Sequence, residues 1–301
     1  MDPLSDVLRV AEVTAHLSAG MSGRGRWSVA FDAPPGIKFN AVRRGRCVLR
    51  VGDEVIQLAE GDCFLLAARL PFVLATDPSM RSEPAHLVFA GVDLARVGEA
   101  TGDRVELIGG RFDFGARAHE LLIDRLPAVV HVASDHPDAA SIRDDIAVID
   151  AELRSSQPGA EVVAESVATA MLVRILRLEP TGATGILTGL RDPVVAAAVS
   201  AIHRDPAYRW TVAELASVAS VSRSTLAIRF ERSVGMGPLA YATAWRMELA
   251  AQRLRAGDET LATIAREVGY GSASALTVAF TRVIGTSPDA YRRVRAVDQA
   301  I

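Results

Sequence analysis

Two copies of one repeat lie in the last third of the sequence: TVAELASVASVSRSTLAIRFERSVGMGPLAY at residues 211–241 and TLATIAREVGYGSASALTVAFTRVIGTSPDAY at residues 260–291. Leu215 of the first copy matches Ile264 of the second at a separation of 49 residues, whereas Phe230 matches Phe280 at a separation of 50. One extra residue in the turn of the second copy accounts for the difference. A repeat matched at this many positions indicates two copies of one structural unit.

Each copy has the pattern of two helices joined by a short turn. Thr211 and Glu214 have the spacing of a capping box at the start of the first helix. Ser222 and Ser272 are suited to cap the second helix of each copy. The pattern predicts a helix-turn-helix in each copy, with residues 238–256 forming one long helix between them. Two such units on one rod are expected to reach successive major grooves about 34 Å apart.

Composition and charge agree with a folded, two-part protein. The chain has 301 residues, of which 50% are hydrophobic and 23% charged, which excludes a disordered chain. Residues 192–301 contain 13 Arg and 10 Asp or Glu, a net charge of +3; subtraction from the whole-chain totals of 33 and 36 leaves −6 for residues 1–191. This asymmetry favours a nucleic-acid partner for the C-terminal part.

The pattern of residues 27–114 is short apolar runs punctuated by Gly and Pro, which is typical of an antiparallel sheet or barrel. Alternating residues on either side of Gly52-Asp53 predict a hairpin. A further strand is expected to start after Gly61-Asp62.

The period becomes helical beyond about residue 117. Ile142, Ile146, Ile149 and Leu153 are expected to form one buried face. The apolar run at residues 162–178 predicts a second helix that is covered on more than one side, either within the chain or in a dimer. We therefore expect an N-terminal domain at residues 1–180, a linker at 181–190 and a C-terminal domain at 191–301.

The repeat segments resemble the AraC/XylS family of bacterial transcriptional regulators. The similarity is carried by residues 210–255 and 260–293, including the GY-x-S turn and the G-x-SP-x-x-YR ending of the second copy. The N-terminal half resembles the cupin-like sensor of one subgroup of that family. The resemblance implies an α+β protein, with a cupin-like β-barrel followed by helices and then an all-α domain that carries two helix-turn-helix motifs joined by a long helix.

The resemblance also implies a set of DNA-binding residues. The positions that read bases fall on Ser224, Ala227, Ile228, Ser274, Thr277 and Val278. Candidate phosphate contacts are Arg223, Arg229, Arg232, Arg282 and Arg292. The remaining members of the set, at the starts of the second helices, are Ser222, Thr225, Ser272 and Ala273. Family members commonly carry arginine where this chain has Ile228 and Val278, so the bidentate contact of arginine with guanine is absent at both places.

The predicted barrel offers an effector pocket but no metal site. We expect Asn40, Arg43, Arg50 and Phe72 to line the pocket, although a barrel filled by its own side chains is the alternative. Metal-binding cupins carry histidines near the places of Asn40 and Phe72, and the six histidines of this chain are not clustered at ligand spacing. No metal and no cofactor are therefore expected.

The two cysteines, Cys47 and Cys63, are too few for a disulfide framework. Both lie on or beside strands that the pattern places in the core. They are interpreted as small hydrophobic residues, and a thiol-based sensor is the alternative.

These observations predict a cytoplasmic transcriptional regulator rather than an enzyme. Its expected partners are double-stranded promoter DNA and a small-molecule effector or a redox signal, with no membrane association. The resemblance to the AraC/XylS family adds RNA polymerase and a second copy of the chain. Two rivals remain: a cupin enzyme with a helical appendage, and a protein that has kept the fold but lost sequence-specific readout of DNA.

Overall fold

The chain folds as two units, one built of sheets and one of helices. We describe both from a computed structural model. The sheet unit comprises residues 13–113 and 126–182, and the helical unit comprises residues 1–12, 114–125 and 183–301. The residues whose structure is described are 3–92, 94–114, 123, 126–155, 157–178, 185–257 and 259–298. Residues 181–184 of the predicted linker lie outside them.

Two sheets make up most of the sheet unit. Their strands are β1 (Thr14–Arg24), β2 (Ser28–Phe31), β3 (Ile37–Arg44), β4 (Arg46–Val51), β5 (Glu54–Ala59), β6 (Cys63–Leu66), β7 (Phe72–Ala75), β8 (Glu83–Pro84), β9 (Leu94–Gly98), β10 (Arg104–Asp113) and β11 (Val129–Val132). One sheet has the order β11-β6-β3-β10-β1-β9, and the other has the order β5-β4-β7-β2-β8. This is the sheet-rich N-terminal architecture that the sequence predicts.

The predicted hairpin is confirmed. Strands β4 and β5 pair antiparallel from Arg46 opposite Ala59 to Val51 opposite Glu54. Gly52 has a φ of 57° in the turn, which is the left-handed region that glycine enters without steric cost.

Apolar side chains from both sheets form the core between them. Phe31 stacks on Phe72 with ring centroids 4.6 Å apart, and Phe64 meets Phe72 edge-on at 6.4 Å. Leu49 of β4 and Leu66 of β6 are fully buried in the same cluster. Burial of this apolar surface is the main stabilising contribution to the unit.

Besides the short α2 (Ala85–Val88), the sheet unit contains α3 (Ala140–Arg154) and α4 (Ala160–Arg177). The predicted buried face of α3 is correct at Ile142, Ile146 and Ile149 but wrong at Leu153, which is 42% exposed in the last turn. Helix α4 is buried along its second half, but Val162 in its first turn is 66% exposed. The predicted cover on more than one side is therefore present within the sheet unit for the second half of the helix, and at its start only a second copy could supply it.

The helical unit begins with the N-terminus of the chain. Its helices are α1 (Pro3–Val10), α5 (Ile186–Gly189), α6 (Pro193–Arg204), α7 (Val212–Val218), α8 (Arg223–Val234), α9 (Pro238–Ala256), α10 (Leu261–Glu267), α11 (Ala273–Ile284) and α12 (Pro288–Asp298), with α2 (Ala85–Val88) belonging to the sheet unit.

Helix α1 packs against α6 and α9 of the same unit. Val7 is fully buried there, and Arg255 donates hydrogen bonds to Val10 O at 3.1 Å and to Glu12 Oε2 at 2.9 Å. Residues 3–12, which the sequence analysis assigns to the N-terminal domain, thus pack with the C-terminal helices. This contact joins residues about 240 positions apart in the chain, which no local pattern reveals.

Both repeat copies fold as the repeat predicts. Helices α7 and α8 form the first helix-turn-helix, α10 and α11 form the second, and α9 is the long helix between them. Leu226 and Phe230 are fully buried in the first module, as are Leu276 and Phe280 in the second.

The packing of α1 generates a test of stability. Val7→Ala removes two buried methyl groups and should destabilise the docked helix by about 2 kcal/mol. Hydrogen exchange measured by mass spectrometry should then become faster in residues 3–10 and 193–204. The control is Arg223→Ala in the same unit, because Arg223 is exposed on α8 and its removal should leave exchange of α1 unchanged. Equal exchange in the native protein and the Val7→Ala variant would contradict the docking of α1.

Candidate nucleic-acid interface

The second helix of each module begins at a serine cap. Ser222 Oγ accepts a hydrogen bond from Thr225 N at 3.1 Å, and Ser272 Oγ accepts one from Ala275 N at 3.1 Å. The Thr225 hydroxyl lies 2.9 Å from Ser222 Oγ and belongs to the same cap. These side chains fix where α8 and α11 start, and the remaining free N–H groups of the first turn are available to an anion.

The predicted base-reading positions lie on the solvent side of α8 and α11. Ile228 is 66% exposed and Val278 is 71% exposed, which is unusual for apolar side chains of this size. Ser224 and Ser274 are exposed as well, while Ala227, Ala273 and Thr277 are partly exposed. Leu226 and Phe230 on α8 are buried, as are Leu276 and Phe280 on α11. Residues one or two positions after each buried leucine therefore point outward.

The Thr277 hydroxyl is already committed as a donor. Its Oγ1 donates to Ala273 O at 2.9 Å within the helix. The oxygen lone pairs remain, so Thr277 can accept a hydrogen bond from a base amino group.

The five candidate arginines divide into two groups. Arg223, Arg232 and Arg282 are exposed on the surface of α8 and α11. Arg229 instead lies 3.2 Å from Asp192, the residue that caps α6, and Arg292 donates to Glu259 O at 2.8 Å. Arg229 and Arg292 therefore have partners within the helical unit, and their contact with phosphate stays a prediction.

A loop of residues 205–210 braces the two modules against each other, and sequence reasoning missed it. Arg246, midway along α9, donates to Pro206 O and to Tyr208 O, both at 2.6 Å. Gly269, in the turn of the second module, has a φ of +82°, and a Cβ there would overlap the carbonyl group of Ala207 and lie 2.8 Å from its Cα. The loop therefore contacts both the connecting helix and the second module.

Comparing the two repeat copies gives a sequence indication of this contact. Ser220 occupies the place of Gly269 in the first copy and has a φ of +54°, so both turns use the left-handed conformation. Only the second copy has glycine at this place. The close approach of Ala207 explains why a side chain is excluded there.

The surface beside the brace is basic and aromatic. Arg209, Trp210, Thr243, Arg246 and Tyr270 line a groove of about 380 Å³ next to the start of α11. Burial lowers the pKa of Arg246, although the group remains charged at neutral pH.

The sheet unit contains a cavity of about 430 Å³, but it brings together few of the predicted pocket residues. Asn40 lines it. Phe72 stacks on Phe31, which lines the cavity. Arg50 donates to Pro78 O at 3.4 Å, outside this cavity. Arg43 pairs with Asp150 at 2.7 Å, and both residues line a second, more polar cavity of about 1130 Å³ in the same unit.

The cysteines are buried and lie on strands of different sheets, Cys47 on β4 and Cys63 on β6. Burial, with a smaller contribution from Asp62, raises the pKa of each thiol to about 12. Since the thiolate is the reactive form, the raised pKa disfavours reaction of either thiol at neutral pH. Within the described ranges, no group of three or more His, Cys, Asp or Glu side chains is arranged to hold a metal ion.

The brace predicts different consequences for two glycines of similar conformation. Gly285 has a φ of +85° with open space around it, so Gly285→Ala should destabilise the helical unit by about 1 kcal/mol. Gly269→Ala adds the overlap with Ala207 and should be the more destabilising by roughly 1–3 kcal/mol. Urea unfolding followed by circular dichroism at a helical wavelength measures both values. The brace is refuted if the two variants are equally stable.

Comparison with known proteins identifies both halves. Residues 2–179 match the family described as Cupin, and residues 215–294 match the family described as Helix-turn-helix domain. Across the part of the chain that the structure describes, no helix combines the length and apolar character needed to cross a membrane.

Two relatives match this chain along almost its whole length. A putative AraC-like transcription regulator of Streptomyces lividans is 53% identical over 301 residues, covering 97% of this chain and 98% of the relative. A second, from Streptomyces antibioticus, is 52% identical and covers 97% of this chain and 99% of the relative. The solved DNA-binding domain of AdpA in complex with a target DNA aligns with 29% identity and a TM-score of 0.34 over 36% of this chain and 97% of that chain. Matched along almost its whole length by regulators of this kind, the chain belongs to the family of AraC-like transcription regulators, with an N-terminal cupin domain.

Proposed function

We propose that the protein binds specific promoter sequences through α8 and α11, and that a small molecule held in the sheet unit controls this binding. The observation that carries the first part is the outward face of the two capped helices, where serine, threonine and apolar side chains stand beside exposed arginines. Ile228 and Val278 occupy matching places on the two helices, where a DNA partner would cover both.

The side chains on that face support separate roles in contacting phosphates and bases. Arg223, Arg232 and Arg282 would contact phosphates and supply affinity that is independent of sequence. Ser224 and Thr277 would exchange single hydrogen bonds with base edges. Ile228 and Val278 would contact thymine methyl groups, which favours sites rich in A·T pairs.

The cavity favours a small-molecule effector over a redox signal. Its volume of about 430 Å³ lies within the range of ligand pockets. The raised pKa values of Cys47 and Cys63 argue against a thiol sensor. We therefore propose control by a bound molecule.

Four further properties complete the proposal. The regulator would act in the cytoplasm, have no catalytic activity, contact RNA polymerase at the promoter, and function as a homodimer. The exposed Val148 and Leu153 on α3, with Val162 and Val163 on α4, support the dimer, because a second copy would cover them.

A second candidate function rests on Ile228 and Val278. Because neither supplies a hydrogen bond, the protein could bind DNA through phosphates alone, without regard to sequence. The same experiment separates the two candidates.

The test is a DNase footprint on the DNA upstream of the gene that encodes the protein, at two salt concentrations and against scrambled competitor DNA. Discrete protection on one face of the helix is expected. Arg223→Ala and Arg282→Ala should weaken binding to all sequences and each lower the salt slope by about 1. Thr277→Val should instead change base preference at one position.

The matched control is Arg96→Ala, which removes an exposed arginine from the sheet unit and should leave both quantities unchanged. Protection without sequence preference would favour the second candidate. Equal effects from the arginine and threonine variants would contradict the assigned roles.

A further inference from the structure

The second cavity of the sheet unit is rich in charged side chains. It has a volume of about 1130 Å³ and lies where the end of β3 and the start of β10 meet the last turn of α3. Residues 1–191 as a whole have a net charge of −6, yet arginines outnumber carboxylates in the lining of this cavity. The charged lining residues are Arg43, Arg44, Arg104, Arg154, Glu60, Glu106 and Asp150.

A β-bulge explains why two consecutive arginines line the cavity. Leu107 of β10 pairs with Val42, but the next pair is Glu106 with Arg44, so Arg43 is the extra residue of the bulge. Consecutive residues of a regular strand face opposite sides of the sheet, whereas a bulge redirects a side chain. The bulge therefore allows Arg43 and Arg44 to line the same cavity, opposite Glu106.

The two less exposed carboxylates already have arginine partners at every oxygen. Glu106 Oε1 lies 2.6 Å from Arg104, and Glu106 Oε2 lies 3.4 Å from Arg43. Asp150 lies 2.7 Å from Arg43 through Oδ2 and 3.1 Å from Arg154 through Oδ1. Each guanidinium group has five N–H donors, so these three arginines hold more donors than the four oxygens take up. The network thus orients the arginines and leaves N–H groups for a further acceptor.

Two of the arginines do not hold elements of the fold together. The ion pair of Arg43 with Asp150 joins β3 to α3. Arg104 and Glu106, by contrast, are two residues apart on β10, so their ion pair joins no two elements. Arg44 is exposed and forms no ion pair within the described part of the chain. Arg44 and Arg104 are therefore available to a ligand.

The cavity also has an apolar wall. Leu17, Leu94 and Leu107 belong to its lining, and Leu94 is 43% exposed on the edge strand β9. A ligand body that lies on these side chains would cover apolar surface while a charged group of the same ligand meets the arginines.

We propose that this cavity binds a small molecule that carries a phosphate ester, with the phosphate held by Arg44 and Arg104. Arginine forms two parallel N–H···O bonds with phosphate and stays charged throughout the physiological pH range. A phosphate monoester has three terminal oxygens and a charge of about −1.5 to −2, so it can accept from two arginines on different strands at once. The site can be occupied whether or not the protein binds promoters, so this inference goes beyond the proposed function.

The test uses the full-length protein and isothermal titration calorimetry at constant ionic strength in a buffer free of phosphate. Phenyl phosphate is compared with phenol, and glucose 6-phosphate with glucose, so that each pair differs only in the phosphate. Each ester should bind roughly 10- to 100-fold more tightly than its parent. Inorganic phosphate should bind more weakly than phenyl phosphate, because it has no body to cover the apolar wall.

Two variants assign the preference to residues. Arg44→Gln and Arg104→Gln each remove one guanidinium group and should weaken binding of both esters about tenfold or more, with binding of phenol and glucose unchanged. Thermal unfolding should stay close to that of the native protein, because neither arginine joins two elements. The matched control is Arg96→Gln, which removes an exposed arginine of β9 outside the lining and should leave every affinity unchanged.

Three results would overturn the proposal: equal affinities for ester and parent, equal losses in Arg96→Gln and Arg104→Gln, or no binding of either ester below about 10 mM. Inorganic phosphate bound as tightly as phenyl phosphate would assign the site to a free ion and would overturn it as well.

Repeating the footprint with phenyl phosphate separates this proposal from the proposed function. If the ester binds through Arg44 and Arg104 but leaves the footprint unchanged, the phosphate site stands and control of DNA binding by this ligand fails. If the protein protects no specific DNA site, the proposed function fails and the calorimetry still decides the phosphate site.

Discussion

The arrangement of the two modules in the helical unit depends on the contacts that hold α9 at both ends and in its middle. Tyr241 packs against Phe230 of the first module, and Trp245 stacks on His203 of α6. Met247 and Leu254 pack into the second module. Arg246 ties the loop of residues 205–210 to the middle of the helix, and Gly269 brings the second module against that same loop. The long helix α9 sets the distance between the two recognition helices. The contacts of the loop 205–210 restrict their rotation about α9. Both the distance and the rotation must be correct for the two helices to enter successive major grooves.

Local patterns predicted the modules well because their determinants lie close together in sequence. The capping box of Thr211 and Glu214 spans three residues, and the caps of α8 and α11 span three as well. Side-chain partners far apart in sequence were not predictable in this way. The contacts of Arg229 with Asp192, Arg292 with Glu259 and Arg246 with Pro206 span 37, 33 and 40 residues. An exposed arginine and a helix-joining arginine have the same sequence signature.

The sheet unit shows the same difference between features set by neighbouring residues and features set by distant ones. The hairpin at Gly52 follows from neighbouring residues, and it was predicted. The cavity is formed by strands of both sheets and by the segment after α2, so its lining cannot be deduced from the pattern of any one strand. Asn40 was correctly expected to face the cavity. Lys38 was missed although it alternates with Asn40, because a lysine on a strand is usually read as a solvent-facing residue.

The two kinds of unusual buried group in the sheet unit have different physical meanings. Cys47 and Cys63 lose little by burial, because a neutral thiol behaves as a small hydrophobic group, and their raised pKa values keep them neutral. Asn40 loses more, since no atom among the residues that the structure describes accepts a hydrogen bond from its Nδ2. An aliphatic side chain at this position would not carry that cost. The amide of Asn40 therefore lowers stability, whereas the two thiols do not.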